Sequence, residues 1–380
     1  MARVEEAEHR RGSARPDEKG PEDRRRSVGA FAREHRRALL LLLAAAVVVT
    51  CVTVILPQVA SLGGTLDRLR RGNKTWLLVG VVFEAVSLAG YVAAFRAVFS
   101  CHDVRIGWRA SYEITLAGTV ATKLFAAAGA GGVALTVWAL RASGLDARAV
   151  ARRIAAFQIL LYAVYMGAMV FVGVGMASGL LPGSTTTSIT LVPAAFGAGV
   201  IGLVLASSHA GDRIHQRLVE RARASRGRAR RLLQRIATVP RTVHDGMTTA
   251  IEVLRHPRLG LLGAPAYWAF DIATLWAAFH AFGAAPPVPV VVMAYLIGTL
   301  ANAIPLPGGI GGVEGGMIGA FLALGVNGGD AVLAVLAYRA LSFWLPTLPG
   351  LVAYLQLRRT IARWREESAE DYAPTRASGS

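Results

Sequence analysis

The segment NAIPLPGGIGGVEGG, residues 302–316, joins ionisable chemistry to a break in the backbone. It lies between two apolar runs and carries Pro305, Pro307, six glycines and one carboxylate, Glu314. Asp271 sits near the centre of LLGAPAYWAFDIATLWAAFHAF, and Arg339 lies inside AVLAVLAYRALSFWLPTLPGLVAYL. Placing such a charge at mid-bilayer costs roughly 2.5–3.5 kcal/mol even on lenient insertion scales, so each must face a bundle interior and find a partner. Arg339 is expected to pair with Glu314, with Asp271 or with a lipid phosphate, because the guanidinium fork matches carboxylate and phosphate oxygens bidentately. A structural ion pair that locks the bundle is the competing role. Glu84 and Lys123 raise the same question in two earlier spans. Tyr267, Asp271 and Thr274 share one helical face. Glu314 and Asp271 are the candidates for carrying a coupling proton.

Irregular backbone at membrane depth is tolerated only where protein or a water-filled cavity surrounds it. Pro305 and Pro307 stop the preceding helix, while Gly308, Gly309 and Gly311 permit close approach and positive φ. A helix restarting near Val313 turns its amide N–H groups and the positive end of its dipole into that space, where an anionic group such as a lipid phosphate is favoured. A second copy of this pattern begins at Gly129: GAGGVALTVWALRASGLDARAV matches GIGGVEGGMIGAFLALGVNGGDAV from Gly309. Both read GxGGV, then about a dozen mostly apolar residues, a glycine, and Asp before Ala-Val. The recurrence near 180 residues signals an internal repeat and adds Gly129, Gly131 and Gly132 to the candidate binding residues. Close packing of helices through small residues is the plainer explanation, and it weighs more for the first copy.

The elements that position these groups follow from composition. The chain is 54% hydrophobic and only 17% charged, with mean hydropathy +0.45, too apolar for a soluble domain of this size. Apolar runs of about 18 to 25 residues match the length of a helix crossing roughly 30 Å of hydrocarbon. The expected fold is an all-α polytopic membrane protein of about eight transmembrane helices plus two re-entrant helical hairpins arranged as an inverted repeat. Spans are expected near 38–57, 76–97, 111–126, 154–180, 187–207, 259–283, 287–304 and 331–357, with short apolar pieces at 130–140 and 313–326. Residues 1–37 read as a disordered basic tail, 38–357 as the membrane domain and 358–380 as a C-terminal tail. The run from Ala38 starts too late for a cleavable signal peptide and reads as a retained span. Glu113, Arg96 and Arg109 are expected to anchor at span ends, and His280 at the interface.

The net charge of +17 is concentrated in the two tails and in a connection at 208–258 containing RARASRGRARRLLQR. This is the distribution of segments on the cytoplasmic side of a cytoplasmic membrane, and nucleic acid is not an expected partner. The connections at 182–188, 283–289 and 327–330 lack Lys and Arg and are expected outside, which leaves both termini cytoplasmic. The 208–258 connection reads as basic amphipathic helix suited to an anionic inner surface, or as a solvated linker.

No Walker loop, HExxH, G-x-S-x-G or Cys/His metal spacing occurs, so no cofactor, metal or catalytic residue is expected. The string NAIPLPGGIGGVEGG, followed by AYRALSFWLPTLPG, resembles the integral membrane family related to the transmembrane flippase domain of lysylphosphatidylglycerol synthases. The resemblance spans about residues 40–360 and rests on Asn302, Pro305, Pro307, Gly308, Gly309, Gly311, Glu314, Tyr338, Arg339 and Pro346. The first half departs from it: where family members often carry a Pro-x-Arg-x-Gly-Glu loop, this chain has AAAGAGGVALT, with Ala134 opposite Glu314. The aminoacyl-transferase domain of the full synthases is not found in the short tail after the last span. The resemblance implies a non-enzymatic flippase or transporter that binds an anionic phospholipid or polyprenyl-linked glycan at a midplane cavity. A membrane-embedded transferase, or an accessory subunit of an envelope enzyme, is the alternative; a homo-oligomer or an envelope enzyme are the candidate protein partners.

Orientation is directly testable. After removal of Cys51 and Cys101, a cysteine introduced at Ser184 should react with a membrane-impermeant maleimide in intact cells, and one at Ser225 only after permeabilisation. The reverse pattern would invert the topology.

Overall fold

The computed structural model describes residues 72–100, 106–124, 130–183, 186–224, 227–256, 258–303 and 311–371. The tail 1–37, the span at 38–57, Gly129, the segment with Pro305, Pro307, Gly308 and Gly309, and the end of the C-terminal tail lie outside the described residues. Among the described residues the chain is helical and contains no strand. In chain order the helices are α1 Lys74–Phe99, α2 Trp108–Leu124, α3 Ala130–Ala142, α4 Ala147–Ala177, α5 Thr187–Ala224, α6 Gly227–Arg255, α7 Gly263–Phe282, α8 Val288–Thr299, α9 Gly312–Ala323, α10 Gly328–Arg339 and α11 Thr347–Asp371. A 3-10 turn at Leu259–Leu262 precedes α7, another at Leu300–Ala303 ends α8, and a π turn at Ala340–Trp344 joins α10 to α11.

Polarity is distributed as lipid requires. Helices Lys74–Phe99, Ala147–Ala177, Thr187–Ser208 and the run Gly328–Glu366 are long and apolar enough to cross a membrane. Large apolar side chains face outwards on them, with Phe171 72% and Leu203 68% exposed, while Glu84, Ser87, Asp271 and Thr274 are buried. Lipid tails are as apolar as leucine, so no hydrophobic force drives these helices together, and small residues must supply close packing.

The repeat read from the sequence is present in the fold. Helices α1 to α4 recur as α7 to α10 in the same order, α2 starting at Trp108 and α8 at Val288. Their end chemistry recurs as well. After α3, Leu145 N–H bonds Leu140 O (3.4 Å) with Gly144 at φ +98; after α9, Val326 N–H bonds Phe321 O (2.9 Å) with Gly325 at φ +82. Both are left-handed terminations that a side chain would strain. The next helix starts on a capping side chain in each copy, Asp146 to Ala149 N (2.6 Å) and Asn327 to Gly329 N (2.8 Å). Asp146 is thus matched by Asn327 rather than by Asp330, so the Asp-Ala-Val likeness in the sequence is not the structural equivalence.

The equivalent helices α1 and α7 pack antiparallel, the relation an inverted repeat demands. Asn73 N–H bonds Ala281 O at one end (2.8 Å), Ser87 Oγ donates to Tyr267 O midway (2.8 Å), and Gly90 crosses Gly263 near the other end, where a Cβ on Gly263 would sit 2.2 Å from Gly90 O. Each short helix packs on the span before it, α3 on α2 and α9 on α8. Glycines set both crossings: a Cβ on Gly132 would meet Gly118 O at 2.5 Å, and one on Gly298 would meet Met317 N at 2.7 Å. The hairpins then exchange partners, α2 packing on α11 and α8 on α4.

The connection at 208–258 is helical, in agreement with the amphipathic-helix reading, and packs on the bundle. Helix α5 runs through its first part to Ala224 and α6 returns against α5 and α4, with Ala222 and Ala250 buried and Gly246 seated where a Cβ would lie 2.6 Å from that of Ala155.

Gly298→Ala should lower stability by about 1–3 kcal/mol, the usual cost of overpacking, read as a drop in the thermal midpoint of the detergent-purified protein. Gly199→Ala, where a Cβ meets nothing within 4 Å, should leave the midpoint unchanged or raised.

Candidate functional site

The charged residues collect where the two repeats meet. Asp271 lies midway along α7 and Glu84 midway along α1, 8% and 4% exposed. Asp271 Oδ2 accepts hydroxyl hydrogen bonds from Tyr295 of α8 and from Tyr338 of α10, the latter at 3.1 Å. Its Oδ1 and Glu84 Oε2 have no hydrogen-bond partner among the described residues, and the two carboxyl groups are close neighbours. The polar face expected on α7 is therefore real but divided. Thr274 Oγ1 bonds back to Phe270 O (2.9 Å), Tyr267 faces the same carboxyls, and Asp271 alone reaches across to α8 and α10.

Lys123 closes the last turn of α2. Its Nζ donates to Ser342 O (2.9 Å) and Phe343 O (3.0 Å) within the π turn. The reason lies four residues beyond Ser342, where a regular helix would supply the N–H of residue 346 and the chain has Pro346, which has none. Leu345 N–H reaches back to Ala340 O instead (3.3 Å), and Thr347 Oγ1 joins Lys123 at Phe343 O (2.7 Å). An ammonium from one repeat thus satisfies carbonyls released by a helix break in the other. Lys123 also has Glu84 and Asp271 as electrostatic neighbours.

Arg339 ends α10 and meets Glu314 from the first turn of α9. Arg339 Nε donates to Glu314 Oε1 at 2.7 Å, with the two side chains only 13% and 12% exposed. Of the three partners the sequence allowed for Arg339, the structure brings Glu314. Glu314 Oε2 accepts from Gly311 N–H at 2.7 Å, with Gly311 at φ +82, so a carboxylate of the chain itself answers this amide of the α9 N-terminus. The ring of Phe343 carries Lys123 Nζ 5.0 Å and Arg339 Cζ 4.9 Å from its centre, within cation–π range of both.

Other expected residues are placed differently. Asn302 is exposed in the 3-10 turn after α8. Gly132 serves the α2–α3 crossing, and Gly131, half-buried, precedes it. Glu113 does not anchor at an interface: it is 0% exposed and holds Arg109 Nε (2.9 Å) and Thr360 Oγ1 (2.7 Å). Arg96 lies over Trp108, 4.4 Å from the ring centre, and His280 stacks on Trp76. Glu84 and Lys123 were visible as misplaced charges, whereas Tyr295 and Phe343 gave no signal beyond being aromatic. A cleft of about 600 Å³ lined by Gly183, Phe279, Asn327 and Asp330 opens away from this cluster, at the end whose connections lack Lys and Arg. Among the described residues no group of three His, Cys, Asp or Glu could hold a metal ion.

Comparison with known proteins adds an independent line. Residues 40–350 match the family model described as the lysylphosphatidylglycerol synthase TM region. A relative from Methanothermobacter thermautotrophicus, described as a UPF0104 membrane protein, is 34% identical over 111 residues, 29% of this chain and 32% of that protein. The chain thus spans about a third of that relative's length in this match. A longer match of the same description and organism is 25% identical over 299 residues, 76% of this chain and 87% of the relative. With the family model covering the membrane region almost end to end, and the matched segment carrying the charged cluster at the repeat junction, the chain belongs to the multi-pass membrane protein family of the lysylphosphatidylglycerol synthase transmembrane region.

Proposed function

We propose that the protein is a non-catalytic carrier that moves the headgroup of an anionic lipid, a phospholipid or a polyprenyl-linked glycan, between the leaflets of the membrane. The observation that carries this reading is the convergence of Lys123, Arg339 and Phe343 at the junction of the two repeats, inside a helix bundle whose outer surface is apolar. Two cations held at bilayer depth are the chemistry a phosphate needs in order to leave water, and Arg339 presents the planar fork that matches its oxygens. Glu314 holds that guanidinium in place and is the group an incoming phosphate displaces or joins. The aromatic ring shared by the two cations offers a surface along which a headgroup exchanges one for the other. Acyl or prenyl chains stay in lipid, against the exposed leucines and phenylalanines.

Inverted repeats supply the motion. Two copies related by inversion expose a central site to opposite leaflets when one rocks against the other. The π turn at Ala340–Trp344, which carries the carbonyls held by Lys123, is the irregular backbone beside the cluster where a rotation of the helices is absorbed. No bond is made or broken in this cycle, so the chemistry is electrostatic.

In proteoliposomes, transfer of a fluorescent anionic phospholipid measured by leaflet-selective quenching should fall at least about tenfold in Arg339→Ala, the factor that about 1.4 kcal/mol of lost stabilisation commands. Glu314→Gln should also slow transfer, and Arg339→Lys should retain thermal stability while remaining slow. Wild-type transfer in Arg339→Ala and Glu314→Gln at wild-type abundance would remove both residues from the site. A loss of stability with unaltered transfer per folded molecule would assign the pair to holding the bundle together.

A further inference from the structure

The acids of the cluster are not equally occupied. Glu314 commits both oxygens, Oε1 to Arg339 and Oε2 to Gly311 N–H. Asp271 commits one, with two tyrosine hydroxyls on Oδ2, while Oδ1 and Glu84 Oε2 are buried without a hydrogen-bond partner. An orphaned carboxylate oxygen away from water is among the costliest atoms a fold can hold, and two on adjacent carboxyls compound the cost by repulsion. The cation beside them is Lys123 from α2, which in turn neighbours Arg339 with its partner Glu314, and the remaining titratable neighbours are Tyr267, Tyr295 and Tyr338. Three carboxyls thus face two cations, and one proton makes the cluster neutral.

We propose that Glu84 and Asp271 form a proton-binding site, a single proton bridging the two carboxyls at the α1–α7 interface, and that its loading is coupled to anion binding at Lys123. The proton arrives from water on one side of the membrane and leaves to water on the other, with no other bond changing. Of the ammonium's three donors, two are committed to Ser342 O and Phe343 O. With the acid pair unprotonated, the charge of Lys123 is claimed by two carboxylates; with the proton bound, it is released towards a phosphate. Proton and anionic headgroup therefore favour each other's binding, and by linkage each raises the affinity for the other. The site itself stands on the geometry of the acids, and only the coupling rests on the lipid-carrier reading.

The test uses the full-length protein in lipid nanodiscs and vibrational spectroscopy at neutral pH, which separates the carbonyl stretch of a protonated carboxylic acid from ionised carboxylate. Wild type should show such a band, Glu84→Gln and Asp271→Asn should each lose it, and Glu113→Gln should keep it. Absence of the band in wild type, or its persistence in both variants, would overturn the site; so would a requirement for sodium in its place. In vesicles containing a trapped pH dye, anionic lipid transfer should change with pH by up to about tenfold per unit, the limit for a single linked proton, and this dependence should flatten in Glu84→Gln. A band with no lipid movement under any condition would keep the proton site and refute the carrier reading. Lipid movement with neither band nor pH dependence would do the opposite.

Discussion

Pro346 leaves a backbone carbonyl without a donor at membrane depth, and the answer to that deficit organises the centre of the molecule. In hydrocarbon there is no water to complete the bond, so an unsatisfied carbonyl costs several kcal/mol and must be met by protein. Lys123 meets it, from a helix in the other repeat and 219 positions earlier in the chain. That contact places an ammonium in the bundle and sets it beside Phe343, the ring that Arg339 also lies against. The acids follow for the same reason in reverse, since a buried cation favours carboxyl groups nearby.

The two repeats supply one architecture and two different chemistries. Both copies end the short helix with a left-handed glycine and restart on a capping Asp or Asn, and both close their hairpins on a glycine that permits backbone contact. What differs is the charge each places at its break. The first ends α2 on Lys123, and the second begins α9 on Glu314 and ends α10 on Arg339. The sequence resemblance points to a loop in the first half richer in charge than this chain possesses. Lys123 is the cation that the first half brings to the cluster, from the preceding helix.

Close helix packing and buried charge draw on largely separate sets of residues here. Packing comes from small residues at crossings, Gly90 against Gly263 and Gly298 against Met317, together with carbonyl caps such as the Tyr165 hydroxyl on Leu296 O. The cluster contributes little that an apolar core of equal volume would not, because burying charges in pairs seldom exceeds their desolvation cost.

Local physics was legible from the amino-acid order. Hydropathy marked most helices within a few residues, and the recurrence near 180 residues pointed to a repeat with which the helix order agrees; the break at Ala340–Trp344, inside the span expected at 331–357, was not anticipated, and the breaks expected at Gly129 and at Pro305 and Pro307 lie outside the described residues. Charges in apolar runs singled out Glu84, Lys123, Asp271 and Arg339 without assigning their partners. Partner choice depends on helices brought together from distant positions, and a stretch of sequence carries no record of which face its neighbour presents. Tertiary packing therefore decided that Arg339 takes Glu314, that Asp271 takes two tyrosines, and that Glu113 lies buried against Thr360 instead of at an interface. It also packed the helix expected in the 208–258 connection against its neighbours, because Ala250 and Gly246 of α6 let it lie close to α4 and α5. The sequence alone determined which groups had to be rescued from lipid; only the assembled bundle decided what rescued them, since a hydrogen bond or ion pair is selected by distance in space.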